Sequence, residues 1–270
     1  MIMYQIINNL DHQARNIQWL EFELSNNCQY SEKHPWCPRY YDKRSLIFLK
    51  TEIIHKVIQF FKQYNFSGRI YLSGYSEPLI DPRLIDIVKY IKSQLPLCNI
   101  DMFTNGLAAD ENLLYDVLDA GVDSIRLSLY SESEHTRLKK IVEKVNKGPI
   151  YFHPRYNKQI TDDSAGEDID GRLKVYDNEG RGINEPCFIP TMYYFVRNNA
   201  DINMCFWDWK YTQIFGNLYK NTVEETLLNK NRLEINYKLI NNMRKDIPVC
   251  SGCKMPAQRC ISEYCNKMIL

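Results

Sequence analysis

The chain has 270 residues, of which 44% are hydrophobic and 25% charged, an ordinary composition for a globular protein. Its 34 basic and 33 acidic side chains nearly cancel, so the charge balance gives no sign of binding to nucleic acid or to an anionic membrane. No apolar run approaches the roughly 18 residues that span a bilayer, and residues 1–16 lack the pattern of a secretory signal. We therefore expect a cytoplasmic protein without a membrane or nucleic-acid partner.

Short apolar runs alternate with stretches of helical period between residues 17 and 130. The runs are IQWLEFEL, RIYLSG, NIDMFTNG and SIRLSLYS, and the helical stretches are TEIIHKVIQFFKQY, DPRLIDIVKYIKSQL and DENLLYDVLDAG. This alternation predicts an α/β fold in which parallel strands are joined by helical crossovers. Four strands before residue 150 are enough for part of a (β/α) barrel, in which the loops after the strands carry the chemistry.

The composition changes after the predicted barrel. Residues 155–185 are rich in Asp, Gly, Asn and Arg, which is typical of a long polar connection. The next segment, TMYYFVRNNADINMCFW, predicts a hairpin that turns at Asn198 and Asn199. A helix near 222–245 and a cysteine-rich tail complete the chain.

Nine cysteines are the most unusual feature of the composition, and six of them lie in the last third of the chain. An odd number without a secretory signal argues against a disulfide framework. Clustered thiols more often bind zinc or iron–sulfur clusters, because thiolates are soft ligands. Cys98 lies alone in the apolar segment LPLCNIDMF, and we expect it to be a buried small hydrophobe.

A candidate cluster loop follows the first predicted strand. Cys28 begins the segment CQYSEKHPWCP, and Cys37 lies in its ending, Trp-Cys-Pro. This segment resembles the cluster loop of radical S-adenosylmethionine (radical SAM) enzymes, in which three cysteines bind a 4Fe–4S cluster and leave one iron open for SAM. The usual pattern there is C-x3-C-x2-C, and the middle cysteine is missing from this chain.

Two residues are candidates for the missing ligand. His34 stands three places before Cys37, and imidazole ligates iron in Rieske-type clusters, where it raises the reduction potential. Glu32 occupies the middle position when the count starts from Cys28. The resemblance implies that Cys28, His34 and Cys37 bind the cluster, with Glu32 as the alternative to His34.

Three further segments resemble the same superfamily, in order along the chain. Ser73–Leu79 (SGYSEPL) looks like the GGEP segment that binds the SAM amino group, with Glu77 as a charged acceptor. Thr104-Asn105-Gly106 resembles the TNG that follows the third strand, and the fourth strand carries Arg126 and Ser128. The SAM-contacting residues implied by the resemblance are Tyr75, Ser76, Glu77, Pro78, Thr104, Asn105 and Ser128.

Four C-terminal cysteines form a second candidate metal site. Cys187 and Cys205 bracket the predicted hairpin, and Cys250 and Cys253 form a CxxC knuckle; this spacing fits zinc and an iron–sulfur cluster equally. Together with CFWD and TVEET downstream, the set resembles the SPASM/twitch extension of radical SAM enzymes, which binds an auxiliary 4Fe–4S cluster. It most resembles the short twitch form found in the butirosin-pathway aminocyclitol dehydrogenase. Cys260 and Cys265 extend the run, and we expect both to be inert thiols.

The resemblance implies two units and a reaction class. Residues 17–185 would form a radical SAM partial barrel with its connecting loop, and 186–270 a subdomain for the auxiliary cluster. A 5′-deoxyadenosyl radical would remove hydrogen from a small polar substrate, such as a sugar or cyclitol, leading to oxidation or epimerisation. An external electron donor such as flavodoxin or ferredoxin is implied, and Asp162 and Asp163 are candidate bases for an oxidation.

Two other functions remain open at this stage. Many enzymes with a SPASM extension modify a peptide or protein side chain, so a peptide substrate is the first alternative. The second is a non-catalytic binding protein stabilised by zinc or by a cluster, in which loss of the middle cysteine has abolished SAM chemistry.

Overall fold

Short strands form one mixed sheet. In the computed structural model, residues 9–32, 34, 37–154, 185–208, 210–251 and 253 are described. Their strands are β1 Trp19–Phe22, β2 Arg69–Tyr71, β3 Asn99–Thr104, β4 Ser124–Leu129, β5 Ile150–Pro154, β6 Tyr193–Val196, β7 Asp201–Asn203 and β8 Ile214–Asn217. The four strands predicted before residue 150 are confirmed.

The order of the strands places the C-terminal third of the chain against the first strand. The sheet order is β5-β4-β3-β2-β1-β6-β7-β8. Neighbouring strands from β5 to β6 are parallel, whereas β7 and β8 are antiparallel additions. Leu20 of β1 lies opposite Ile70 on one side and Tyr194 of β6 on the other. One sheet therefore contains strands from both sides of residues 185 and 186, the predicted boundary between the two units.

Helices connect the parallel strands, as the alternating pattern predicts. The longer ones are α3 Thr51–Lys62, α4 Leu84–Gln94, α5 Glu111–Ala120, α6 Glu132–Val145 and α9 Lys230–Ile240. The shorter ones are α1 Leu10–Asn16, α2 Pro38–Tyr41, α7 Ile189–Met192, α8 Val223–Leu227 and α10 Pro248–Ser251, with 3-10 turns at Pro78–Ile80 and Arg244–Asp246. None of the helices in the described ranges is long and apolar enough to cross a membrane.

The core lies between the sheet and the helices that cover it. Successive side chains of a strand point to opposite faces, so Leu20, Ile70 and Ile100 enter the core while their neighbours do not. The helical stretches meet them with buried residues at helical spacing, such as Val57 and Phe61 of α3. Cys98 is 2% exposed, which confirms the prediction of a buried small hydrophobe.

Two predictions for the C-terminal half have different outcomes. The hairpin is confirmed: Val196 of β6 pairs with Ile202 of β7, and the turn between them includes Ala200 at φ +66°. The single helix near 222–245 is wrong, because the segment contains α8, α9 and a 3-10 turn. Asn229 starts a second helix there by accepting a hydrogen bond from the Arg232 backbone N–H.

The predicted polar connection and part of the tail fall outside the described residues. Residues 155–184 include the candidate bases Asp162 and Asp163, and residues 254–270 include Cys260 and Cys265. The predictions for these four residues stay predictions.

Asp110 gives a direct test of the local rules that position α5. Its side chain accepts a hydrogen bond from the Leu113 backbone N–H at 2.8 Å. Replacing it by alanine (D110A) leaves that donor without its cap and should lower the free energy of unfolding by about 1 kcal/mol, measured by denaturant titration. The control is D116A, an exposed position in the middle of the same helix. An equal loss of stability in both variants would show that the cap has no special role.

Candidate functional site

The loop between β1 and α2 folds back on itself and brings the two cysteines of the predicted cluster motif near each other. The Ser31 backbone N–H donates to the Cys28 carbonyl at 3.0 Å, and the Cys37 N–H donates to the His34 carbonyl at 2.9 Å. Burial, followed by the nearby charges of Glu77 and Cys37, raises the pKa of Cys28 to about 12. A thiol in this setting becomes a ligand only when a metal or cluster stabilises the thiolate.

His34 and Glu32, the two candidates for the third ligand, differ in burial. The His34 side chain is buried, and its ring lies 4.4 Å from the ring of Tyr30 and 4.1 Å from that of Tyr130. Glu32 is exposed. Because Tyr130 directly follows β4, His34 lies at the end of the sheet where the loops after the parallel strands meet. Both assignments stay predictions, and burial favours His34.

A buried glutamate, Glu77, joins the loops that follow β1, β2 and β3 through its carboxylate and its backbone N–H. One oxygen of Glu77 accepts hydrogen bonds from the Leu79 N–H at 3.1 Å and the Thr104 hydroxyl at 2.5 Å. The other oxygen accepts from the Asn105 N–H at 2.7 Å, and the Glu77 N–H donates to the Asn27 carbonyl at 2.8 Å. Burial raises the pKa of Glu77 to about 7, against the opposing effect of these donors. Glu77, a predicted SAM-contacting residue, thus also holds three loops together.

Asn105 connects the hydrogen bonds around Glu77 to the cysteine loop. Its side-chain amide donates to the Cys28 Sγ at 3.7 Å and to the Gln29 Oε1 at 3.3 Å. Its Oδ1 accepts from the Leu107 N–H at 2.8 Å, which fixes the orientation of the amide. The TNG segment, weak as a motif, therefore lies in contact with a predicted cluster ligand.

Two glutamates that the motif analysis missed hold the loop after β2. Glu21 accepts from the Gly74 N–H at 2.7 Å, and Glu23 accepts from the Tyr75 N–H at 3.3 Å. Gly74 has φ +53°, and a Cβ there would lie 2.7 Å from the Cβ of Glu23. Burial raises the pKa of both carboxyls. The signal was present in WLEFEL, where two acids share one face of an otherwise apolar strand.

The remaining SAM-contacting candidates lie in the same region. The Ser76 hydroxyl donates to the Ser73 carbonyl at 2.7 Å, and Pro78 begins the 3-10 turn Pro78–Ile80. Ser128 is buried on β4 and pairs with His153 of β5. The structure thus places Tyr75–Pro78, Thr104, Asn105 and Ser128 at or beside the carboxyl ends of β2, β3 and β4.

Four cysteines in the C-terminal part of the chain lie close enough to influence one another's ionisation. Cys205 and Cys250 are buried, and the pKa of each is raised first by burial and then by the charges of the neighbouring thiols, Cys187 and Cys253 included. The Trp207 N–H donates to the Cys205 Sγ at 3.4 Å. In the ranges that the structure describes, no three His, Cys, Asp or Glu side chains converge closely enough to hold a metal ion. Four thiols that would repel one another as thiolates are a donor set that zinc or an iron–sulfur cluster stabilises.

One tyrosine connects the two candidate sites. The Tyr75 hydroxyl donates to the carbonyl of Phe206, the residue after Cys205. Tyr75 stands where the superfamily motif has a glycine, so this contact needs a side chain that the usual motif lacks. The ring of Phe206 in turn lies edge-on to Tyr193 of β6, with centroids 5.9 Å apart.

A family profile and a relative of known activity match this chain. A profile of the SPASM iron–sulfur cluster-binding domain matches residues 187–254, the segment that contains the four cysteines. The chain is 19% identical over 245 residues to the S-adenosyl-L-methionine-dependent 2-deoxy-scyllo-inosamine dehydrogenase of Niallia circulans, and the match covers 90% of this chain and 95% of that protein.

Two solved structures have a similar fold. The crystal structure of BtrN in complex with AdoMet and 2-DOIA has a TM-score of 0.71 and 17% identity, and the match covers 90% of this chain and 97% of that one. The structure of native anSMEcpe with bound AdoMet has a TM-score of 0.54 and 13% identity, and the match covers 93% of this chain and 94% of that one. At these identities the likeness establishes the fold.

The contact between Tyr75 and Phe206 can be tested by thermal unfolding. Replacing Tyr75 by phenylalanine (Y75F) removes one hydrogen bond and leaves the Phe206 carbonyl without that donor, so we expect a loss of about 0.5–1.5 kcal/mol in the free energy of unfolding. The control Y71F removes a hydroxyl on β2 that has no hydrogen bond to the described residues. If Y75F is no less stable than Y71F, the contact does not join the two sites.

Proposed function

The chain has the radical SAM fold, a partial (β/α) barrel with a SPASM-type extension, and we propose that it oxidises a small polar substrate of the sugar or cyclitol type. SAM and 4Fe–4S clusters, one of them auxiliary, are the cofactors that the comparisons support. When bound, they supply a 5′-deoxyadenosyl radical that removes a hydrogen atom from an unactivated C–H bond. The observation that carries the proposal is the convergence of three loops on Glu77, with Asn105 reaching Cys28.

The side chains at the N-terminal site are of the types that ligate an iron–sulfur cluster. Cys28 and Cys37 supply two thiolates, and the buried His34 supplies an imidazole in the third position. Three protein ligands leave one iron for SAM. The contacts of the His34 ring with the rings of Tyr30 and Tyr130 would hold it in place once it is bound.

The loop after β2 would bind the amino group of SAM. Its backbone is held by Glu21 of β1 and by Glu23, which follows β1, so its carbonyls are in place before SAM arrives. The Glu77 carboxylate already accepts three internal hydrogen bonds, so any contact with the ammonium shares these oxygens. We infer that Glu77 contributes mainly by holding the loops in position.

The choice of oxidation rests on the C-terminal site. The match of residues 187–254 to an iron–sulfur domain favours a cluster over structural zinc, and a cluster beside the barrel could accept the second electron of an oxidation. The relative from Niallia circulans is named as a dehydrogenase, which favours oxidation over epimerisation. On the sheet face opposite the core, Glu21, Tyr71 and Arg126 offer hydrogen bonds to the hydroxyl groups of a polar substrate.

Assembly and SAM cleavage can be tested together. After anaerobic reconstitution, the protein should contain about eight irons per chain as two 4Fe–4S clusters, and with SAM and a reductant it should release 5′-deoxyadenosine. The flavodoxin or ferredoxin predicted as the donor can replace the chemical reductant. A single zinc per chain would instead support the non-catalytic alternative.

Substitutions at the third ligand position identify the residue that binds iron. H34A should lower the iron content to about four per chain and abolish 5′-deoxyadenosine release, because two thiolates alone do not hold the cluster. H34C restores a third thiolate and should retain the cluster, and E32A serves as the matched control and should behave like the unmodified protein. Loss of the cluster in E32A, with retention in H34A, would assign the position to Glu32.

The substrate class can be tested with 2-deoxy-scyllo-inosamine deuterated at the carbinol carbons. We expect one ketone for each 5′-deoxyadenosine, and deuterium in the deoxyadenosine, because the radical removes the carbinol hydrogen. C250A/C253A should still release 5′-deoxyadenosine but yield no ketone, since the second electron has no acceptor. Deoxyadenosine without deuterium would exclude this cyclitol, and a parallel screen of peptides would then test the alternative substrate class.

A further inference from the structure

A buried arginine lies beside the C-terminal knuckle formed by Cys250 and Cys253. Arg244 is on the 3-10 turn Arg244–Asp246, between α9 and the short helix α10 that carries Cys250. Its side chain is 2% exposed, and its guanidinium donates to the carbonyl of Cys253 at 3.5 Å. A permanent positive charge is therefore buried next to the CxxC knuckle.

Such a charge favours an extra electron on a neighbouring metal centre. Charges interact more strongly in a protein interior than in water, and the net charge around an iron–sulfur cluster is one of the factors that set its reduction potential. The electrostatic effect of Arg244 is already visible at Cys250, whose pKa its charge lowers against the stronger effect of burial.

We propose that Arg244 raises the reduction potential of the auxiliary cluster and so makes this cluster the electron acceptor of the oxidation. The inference rests on the proposed function, because it requires a cluster on the four cysteines. In the oxidation, the carbinol hydrogen goes to the deoxyadenosyl radical. The substrate radical then loses one electron to the auxiliary cluster and its hydroxyl proton to water, which leaves a ketone.

An opposing charge, that of Asp208, also acts on Cys250. Asp208 is 1% exposed, and its carboxylate accepts from the Thr212 N–H and hydroxyl, both at 2.9 Å, and from the Gln213 N–H at 2.8 Å. Its backbone N–H donates to the Cys205 carbonyl at 3.1 Å, which ties it to the ligand loop. The effect of Arg244 on Cys250 exceeds that of Asp208. Neutralising Arg244 should therefore lower the reduction potential of the auxiliary cluster, and neutralising Asp208 should raise it.

The test is a redox titration monitored by electron paramagnetic resonance. It uses C28A/C37A protein, so that only the auxiliary cluster contributes to the signal. Replacing Arg244 by glutamine (R244Q) keeps an amide donor for the Cys253 carbonyl and removes the charge. The equilibrium constant for one-electron reduction should fall at least tenfold, a shift of about 59 mV in the midpoint potential. R244K keeps the charge and should change this constant less than threefold.

The matched control is R232Q. Arg232 is also fully buried, near the other end of α9, where it donates to the Pro190 carbonyl at 2.8 Å. R232Q should change the constant less than threefold. A loaded R244Q protein with an unchanged midpoint, or an equal fall in R232Q, would overturn the proposal.

If R244Q does not take up a cluster, the same titration is carried out on D208N, which lacks the opposing charge. Its equilibrium constant for one-electron reduction should rise at least threefold, and no rise would overturn the proposal. If C28A/C37A protein binds no 4Fe–4S cluster at all, the auxiliary site of the proposed function is refuted, and this inference with it.

Discussion

The arrangement of the N-terminal site depends on one buried carboxylate, Glu77. A carboxylate removed from water is stable only where donors surround it, and here the donors come from the loops after β2 and β3 while its own N–H reaches the loop after β1. Through Asn105 the same network contacts Cys28. The geometry of the cysteine loop is therefore determined by residues that lie about 50 and 77 positions further along the chain.

The second constraint is the position of β6 beside β1. It brings the C-terminal part of the chain against the strand that leads into the cysteine loop, so that both candidate metal sites share one sheet. Tyr75 and Phe206 meet across this arrangement, 131 residues apart. A reaction that removes a hydrogen atom at one site and an electron at the other requires this closeness, because both steps act on one bound substrate.

Periodicity and motif spacing predicted the parallel strands, the hairpin and the two groups of cysteines, because these depend on patterns within short stretches. The contacts that organise the sites could not be predicted in this way. The hydrogen bond between Gly74 and Glu21 and the contact between the rings of His34 and Tyr130 join residues that are distant in sequence, and no local pattern specifies the partner. The break between α8 and α9 was missed for a different reason: the cap at Asn229 was a local signal that the helical pattern obscured.

We propose that the loop from Cys28 to Cys37 binds a 4Fe–4S cluster and leaves one iron for SAM. The most direct measurement is electron–nuclear double resonance on the reduced cluster of C250A/C253A protein, with SAM labelled with ¹⁵N at its amino group. We expect a ¹⁵N coupling large enough to require a direct bond between that nitrogen and iron. Bound SAM without any such coupling, or a cluster whose irons are all ligated by the protein, would contradict it.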